Sequence, residues 1–234
     1  MSSRRPFLDS RLDRGCAYCG SHPDTKDHVP SKVLLDDPLP INIPIVRACL
    51  KCNNGFSQDE EYFACFLECV IVGSVDPNDL QREKVKNSLK NNSKLISELT
   101  ASCRVDPKGN RYWVQDETKV RNIILKLARG HVAFELSEAR LNEPTSFVVS
   151  PLLALNANDR DDFERAGGGE LRSLPELGSR AFERAFVVHP NRPYFEPWIV
   201  LQDQRYRYSI DFQGSVIVRI VLSEYLACEI FWDE

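Results

Sequence analysis

Residues 16–52 read CAYCGSHPDTKDHVPSKVLLDDPLPINIPIVRACLKC, and this stretch decides the fold of the N-terminal part of the chain. It begins and ends with a Cys-x-x-Cys pair, Cys16 with Cys19 and Cys49 with Cys52. Each pair can supply two thiolates to one tetrahedral zinc ion. The 29 residues between the pairs exceed the roughly 15–20 of a common structural zinc site. The sequence therefore predicts a structural zinc ion that holds an inserted functional segment at both ends.

The sequence leaves two other uses of these cysteines open, namely buried free thiols or two disulfides. About 40 residues with few large apolar side chains cannot fold by core burial alone. A structural zinc ion contributes roughly 10–16 kcal/mol of apparent binding energy to such a module, which favours the zinc site. The other four cysteines lie in apolar surroundings and are expected to be buried thiols: Cys65, Cys69, Cys103 and Cys228.

The charge of the 234-residue chain argues against a general binder of polyanions. The formal net charge is −4, so the surface as a whole does not attract nucleic acid. Residues 1–56 nevertheless contain eight basic and six acidic side chains, which favours this part as the surface that meets a phosphate chain. We find neither a run of roughly 18–20 apolar residues nor an apolar signal core. We therefore expect a cytoplasmic protein with reduced cysteines and no membrane partner.

Asp27 and His28 are the candidate catalytic residues inside the inserted segment. Metal-assisted hydrolysis of a phosphodiester needs a base for the attacking water and a hard oxygen ligand for the metal. His28 suits the base because an imidazole titrates near neutral pH, and Asp27 suits the ligand. Neighbouring residues of an extended strand point to opposite sides. One of the two can then face the metal and the other the water, although an Asp-His pair alone is also common in solvated loops.

These residues resemble the HNH, or ββα-metal, endonuclease family in its zinc-braced form. The resemblance covers residues 16 to about 61, and four motifs carry it: Cys16-Ala-Tyr-Cys19-Gly20, Asp27-His28-Val29-Pro30, Leu39-Pro40-Ile41-Asn42-Ile43 and Ala48-Cys49-Leu50-Lys51-Cys52-Asn53-Asn54. It implies an endonuclease that hydrolyses DNA phosphodiester bonds, with His28 as the general base. It also implies that Asp27 binds a catalytic magnesium or manganese ion.

The resemblance assigns roles to two asparagines. Asn42 corresponds to the middle asparagine, which braces the ribbon that positions the histidine, although it can equally be a turn residue. Asn53 corresponds to the second ligand of the catalytic ion, a position often held by histidine, although Asn53 and Asn54 precede Gly55 and a turn is the alternative use of both. An amide oxygen is harder than imidazole, which favours magnesium or manganese there. Glu60 is either a further ligand of the ion or the partner of Ser57 in a helix-capping box.

Three lysines flank this segment and are candidates for phosphate contacts: Lys26, Lys32 and Lys51. Such contacts position a nucleic acid without reading its sequence. Solvated surface charges are nearly as good an interpretation for each of them. A helix predicted over residues 117–137 carries four further basic residues: Lys119, Arg121, Lys126 and Arg129. They are expected on its solvated polar face, with an extension of the nucleic-acid track as the alternative. His131 of the same helix is expected in the core.

The fold class predicted for the whole chain is α+β. A loosely held arm or short helix is expected over residues 1–15, followed by the zinc module. Helices are predicted from Ser57 through an apolar run to Val72, over residues 78–102 and over residues 117–137. Strands are predicted in an irregular form at Ile41–Val46, and as antiparallel strands at Phe147–Val149, Trp198–Leu201, Tyr206–Ile210 and Val216–Val221.

The predicted division is a zinc-braced nuclease module at residues 1–61 and a helical plus antiparallel β domain at residues 62–234. A noncatalytic zinc module that binds nucleic acid or protein is the competing hypothesis. One site of this kind cuts one strand at a time, so a cut through both strands would require a homodimer or two successive nicks. The C-terminal region is the candidate surface for a homodimer or for another protein partner.

Overall fold

The computed structural model describes residues 15–166, 175–185, 198–212 and 214–233, and the backbone of residues 169–170 and 194–195. Helices and antiparallel sheets together confirm the predicted α+β class. The expected N-terminal arm, except for Gly15, lies outside the described residues. None of the helices in these ranges combines the length and the apolar run that crossing a membrane requires.

The segment between the cysteine pairs forms a two-stranded antiparallel ribbon. Strand β1 is Thr25–His28 and strand β2 is Ile45–Ala48. A single 3-10 turn, Lys32–Leu34, follows β1. Only the last two residues of the predicted strand Ile41–Val46 are paired. A turn and then Pro44 precede the pairing, and proline has no N–H to donate to a neighbouring strand.

Two helices follow the ribbon almost without a break. Helix α1 is Leu50–Gly55, and helix α2, Ser57–Val72, begins after the single residue Phe56. The predicted capping box at Ser57 is wrong, because the Phe56 backbone is already helical and its carbonyl accepts the N–H of Glu60. The side chain of Glu60 instead contacts the ammonium group of Lys126.

The remaining helices agree in part with the predictions. The single helix predicted over residues 78–102 is wrong, since the segment forms α3, Glu83–Asn91, and α4, Ser93–Ser102. Asn92 separates them because its side chain accepts the N–H of Leu95 and so caps α4. A short hairpin follows, made of β3 (Cys103–Val105) and β4 (Arg111–Trp113). Helix α5, Glu117–Leu136, confirms the third predicted helix.

The C-terminal part contains an antiparallel sheet of five strands. The elements after α5 are, in chain order, β5 (Ser146–Pro151), a 3-10 turn (Leu152–Ala154), α6 (Ala157–Arg165), β6 (Gly169–Glu170), α7 (Arg180–Glu183), β7 (Tyr194–Phe195), β8 (Ile199–Gln202), β9 (Tyr206–Asp211), β10 (Val216–Leu222) and β11 (Leu226–Trp232). The large sheet has the order β5-β11-β10-β9-β8, and β6 pairs with β7. Four of its strands confirm predictions. We did not predict β11, whose run Ala227-Cys228-Glu229 contains no β-branched or aromatic residue.

Helix α5 joins the ribbon to the rest of the molecule. It packs against α2 and β2 and also against β9, β10 and β11. The approach to the ribbon is close at Gly130, where a Cβ atom would lie 2.6 Å from Cγ2 of Val29. Buried side chains of the ribbon, the helices and the large sheet form one continuous core. The domain boundary predicted between residues 61 and 62 falls inside α2.

A second link joins the segment after β1 to the large sheet. The Asp36 carboxylate accepts from Nε of Arg82 at 2.7 Å and from Nε of Arg205 at 2.8 Å. The side-chain amide of Gln202 donates to the Asp36 carbonyl and accepts its N–H. The ribbon is thus held from two directions, by α5 and by the turn between β8 and β9.

Candidate functional site

The four cysteines of the two pairs come together in space. The sulfur atoms of Cys16, Cys19, Cys49 and Cys52 all lie within 4.8 Å of one another, and those of Cys19 and Cys49 are 3.7 Å apart. Four sulfurs bound tetrahedrally about 2.3 Å from zinc are about 3.8 Å apart, so the spacing fits this ion. All eight cysteines are free thiols, and no disulfide joins the pairs. The cluster is therefore placed to hold a metal ion such as zinc.

A tight backbone turn presents the first cysteine pair. The N–H of Gly20 donates to the carbonyl of Cys16, and the N–H of Cys16 donates to the carbonyl of Ser21, both at 2.8 Å. Gly20 has φ of +74°, in the left-handed region that favours glycine. Hydrogen bonds from Ser21 lower the pKa of Cys19 to about 6. The turn therefore favours the thiolate form of Cys19, the form that a metal binds, whereas burial raises the pKa of Cys16.

Strand β1 presents neighbouring residues to two different surroundings. Asp27 is only 8% exposed and faces the interior. His28 and Lys26 alternate with it on the outer side, where Lys26 lies opposite Arg47 of β2. Burial, and next the charge of Lys32, lower the pKa of His28, so its imidazole is neutral at pH 7. No residue in the described part of the chain is seen to hydrogen-bond with this imidazole.

The inward carboxylate of Asp27 belongs to a buried cluster around Lys126 of α5. Lys126 Nζ lies 2.9 Å from Asp27 Oδ2, contacts Oε1 of Glu60 and donates to Oγ of Ser31 at 2.9 Å. The hydroxyl of Tyr18 donates to the same Asp27 oxygen at 2.7 Å. Of these three oxygens, those of Glu60 and Ser31 accept hydrogen bonds from the ammonium group, and the Asp27 carboxylate forms an ion pair with it. We call these five residues the Lys126 cluster.

The expectation that Lys126 lies on the solvated face of its helix is wrong, because the residue is 2% exposed. It follows Ile123 by three residues and precedes Gly130 by four, and such spacings place all three on one face of a helix. Asp27 and Val29 are likewise alternate residues of an extended chain. The packing of α5 against the β1–β2 ribbon therefore brings together both pairs, Lys126 with Asp27 and Gly130 with Val29. The helical spacing of Lys126 from Ile123 and Gly130 could have predicted the buried position of Lys126. Its positive charge favoured the prediction of a solvated side chain instead.

Helix α1 places Asn53 against β1. Its Nδ2 donates to Oγ1 of Thr25 at 3.1 Å and to the carbonyl of Lys26 at 3.3 Å. The sulfur of Cys49 caps this helix, so the second cysteine pair fixes where α1 begins. Asn53 consequently lies beside Lys26, the residue before Asp27. Its amide nitrogen makes both hydrogen bonds to β1, and its amide oxygen takes part in neither.

The other candidate residues lie at the surface. Asn42 is exposed in the turn before β2, and its side chain makes no hydrogen bond that the described ranges contain. The bracing contact expected of it is therefore not formed there. The three candidate phosphate-binding lysines are exposed, one on β1, one in the following 3-10 turn and one in α1: Lys26, Lys32 and Lys51.

Comparisons of the chain with family models, with curated proteins and with solved structures find no match. The chemistry of the site therefore rests on its own geometry. It combines a four-thiol cluster suited to zinc, a neutral imidazole on the outer side of the ribbon, and two carboxylates around a buried lysine.

Proposed function

We propose that the protein is a metal-dependent HNH endonuclease that hydrolyses DNA phosphodiester bonds. The observation that carries this proposal is the order β1, β2, α1 within the frame of the four thiols. In this arrangement the Asn53 side chain hydrogen-bonds to the carbonyl of Lys26, directly before Asp27 and His28. Residues that the resemblance assigns to one site are thus on elements that touch each other.

Zinc has a structural role in the proposal. The cluster joins the chain before β1 to the start of α1, so a bound ion holds both ends of the ribbon. Rigid support of this kind keeps candidate catalytic groups in fixed positions.

The donors proposed for the catalytic ion suit magnesium or manganese. Asp27 and Asn53 would hold the ion through a carboxylate oxygen and an amide oxygen, which are hard ligands. Within the described ranges, the Asp27 contacts are made by Oδ2, and Asn53 gives its nitrogen to β1. Oδ1 of each residue is therefore the atom that would hold the ion. When bound, the ion stabilises charge on the scissile phosphate and on the departing 3′ oxygen.

His28 is the proposed general base. A neutral imidazole can accept the proton of the water that attacks phosphorus, and burial keeps the imidazole in that form at neutral pH. The resemblance implies products with a 5′-phosphate and a 3′-hydroxyl.

The outer face of the ribbon is the proposed DNA-binding side. His28 shares this face with Lys26, and Lys32 is close enough to affect the His28 pKa. Exposed Lys51 extends the positive charge along α1. Contacts from these lysines to phosphates position the strand and carry no sequence information.

One observation favours the competing function, a noncatalytic zinc module that binds nucleic acid or protein. The Asp27 carboxylate is already neutralised by Lys126 and hydrogen-bonded by Tyr18, as expected for a purely structural residue. Catalysis is the property that separates the two proposals.

A plasmid-nicking assay with purified full-length protein tests the proposed function. Magnesium or manganese is added to wild type, His28→Ala and the matched control His22→Ala, which removes an exposed histidine near the first cysteine pair. We expect wild type and the control to nick DNA and His28→Ala to lose at least about 100-fold in rate, the typical contribution of general base catalysis. Binding without nicking by wild type would favour the noncatalytic module. Equal nicking by His28→Ala would refute the base assignment.

A further inference from the structure

We propose that Lys126 sets the affinity of the candidate ion site, because its ammonium group already neutralises the carboxylate that a divalent ion would bind. This inference rests on the proposed function, since it takes Asp27 as a ligand of the ion. Lys126 lies on α5, outside the segment that carries the family resemblance. It is a positioning residue, which acts on the ion through Asp27.

The charges of the Lys126 cluster explain why a further cation can enter and why Lys126 opposes it. The side chains of Lys126, Asp27 and Glu60 are 1%, 10% and 17% exposed, and they carry one positive and two negative formal charges. A net negative charge in a largely buried cluster favours the binding of a cation. A divalent ion on Asp27 would however approach an ammonium group that lies 2.9 Å from that carboxylate. Like charges about 4–5 Å apart in a protein interior change an affinity by more than tenfold.

The surroundings allow Lys126 to give up Asp27 without losing all of its partners. Glu60 and Ser31 remain as acceptors for the ammonium group. The rings of Tyr18 and Phe56 lie 5.9 and 5.3 Å from Nζ and also favour a cation there. Loss of the contact with Asp27 would therefore leave that carboxylate for the ion and keep Lys126 paired with Glu60.

Direct titration of the zinc-loaded, full-length protein with manganese tests this inference. Free Mn²⁺ is followed by electron paramagnetic resonance for wild type, Lys126→Met and Asp27→Asn. The matched control is Lys119→Met, which removes another lysine of α5, one paired with Glu98. We expect Lys126→Met to bind Mn²⁺ at least about tenfold more tightly than wild type. Lys119→Met should bind as wild type does, and Asp27→Asn should not bind at this site.

Two results would overturn the inference. One is a folded Lys126→Met protein with unchanged or weaker affinity; the other is Mn²⁺ binding that Asp27→Asn leaves intact. If Lys126→Met does not fold, the ammonium resonance of Lys126 in wild type decides. Saturating Mg²⁺ must shift this resonance, and an unchanged signal rejects the idea. Plasmid nicking is measured in parallel, because tighter Mn²⁺ binding without any nicking by wild type would reject the nuclease and retain the ion site.

Discussion

The contact between Gly130 and Val29 gives a test of how α5 lies on the ribbon. A Cβ atom added at Gly130 would lie 2.6 Å from Cγ2 and 2.9 Å from Cγ1 of Val29. Carbon atoms in good contact are about 3.5–4.0 Å apart, so the added methyl group overlaps Val29 by about 1 Å. Val29 is fully buried, so its side chain cannot turn out into solvent to relieve the overlap.

The expected free-energy changes follow from two opposing effects. Replacing glycine by alanine in an exposed helix interior stabilises by about 1 kcal/mol. Overpacking a core costs about 1–3 kcal/mol, so Gly130→Ala should lower the free energy of unfolding by about 0–2 kcal/mol. Val29→Ala removes two methyl groups and should cost about 2–3 kcal/mol, including the cavity.

The double variant separates the clash from every other effect. With alanine at position 29 the overlap is gone, so adding Gly130→Ala should restore about 1 kcal/mol and partly fill the hole. Urea unfolding of the four proteins then gives a coupling energy of about 1–3 kcal/mol between the two sites. If Gly130→Ala stabilises wild type by about 1 kcal/mol and the coupling is near zero, α5 does not lie on Val29. The pairing of Lys126 with Asp27, one helical turn away, would then be wrong as well.

Two further outcomes can be measured. Cys49→Ser removes one thiol of the cluster and should lower both the melting temperature and the metal content, which is about one zinc per chain in wild type by mass spectrometry. The control Cys103→Ser changes a cysteine outside the cluster and should keep the zinc. An unchanged metal content in Cys49→Ser would exclude the zinc site. Burial lowers the pKa of His131 to about 3, so the unfolded chain binds an extra proton between pH 6.5 and 3, and stability present above pH 6.5 is lost as the pH falls through this window. Each pH unit contributes about 1.4 kcal/mol per proton, and the unfolded histidine is already half protonated at pH 6.5. Urea unfolding at pH 6.5 and 4.5 should therefore give a loss about 2 kcal/mol smaller for His131→Gln than for wild type. Parallel curves for the two proteins would contradict the assignment.

The sequence predicted the buried position of His131 but not its hydrogen-bond partner. Its position on the apolar stripe of the third predicted helix placed it in the interior, where Nε2 is 2.7 Å from the hydroxyl of Tyr206. The stripe could not supply this partner, because Tyr206 comes from a strand far away in the sequence. It also gave no warning that Nδ1 is buried without a partner in the described part of the chain.

The elements that sequence alone determined are those with a local cause. The two Cys-x-x-Cys spacings predicted the four-thiol cluster, because each pair is presented by a few neighbouring residues, the first by a turn and the second by the start of α1. The periodicity of residues 117–137 predicted α5 for the same reason, since side-chain spacing along a helix is a local property. At Ser57 the predicted start of the helix was right but the capping box was wrong. At Asn92 a local cap divides the segment that was predicted as one helix.

The surroundings of Asp27 depend on how distant parts of the chain pack together. The sequence showed a carboxylate beside a histidine, between two pairs of candidate zinc ligands. The fold added a lysine from α5, because a glycine one turn later lets that helix approach Val29. A charge buried by such packing must be paired, and the pairing partner depends on which helix face meets the ribbon. That choice depends on the whole core, and no short stretch of sequence contains it.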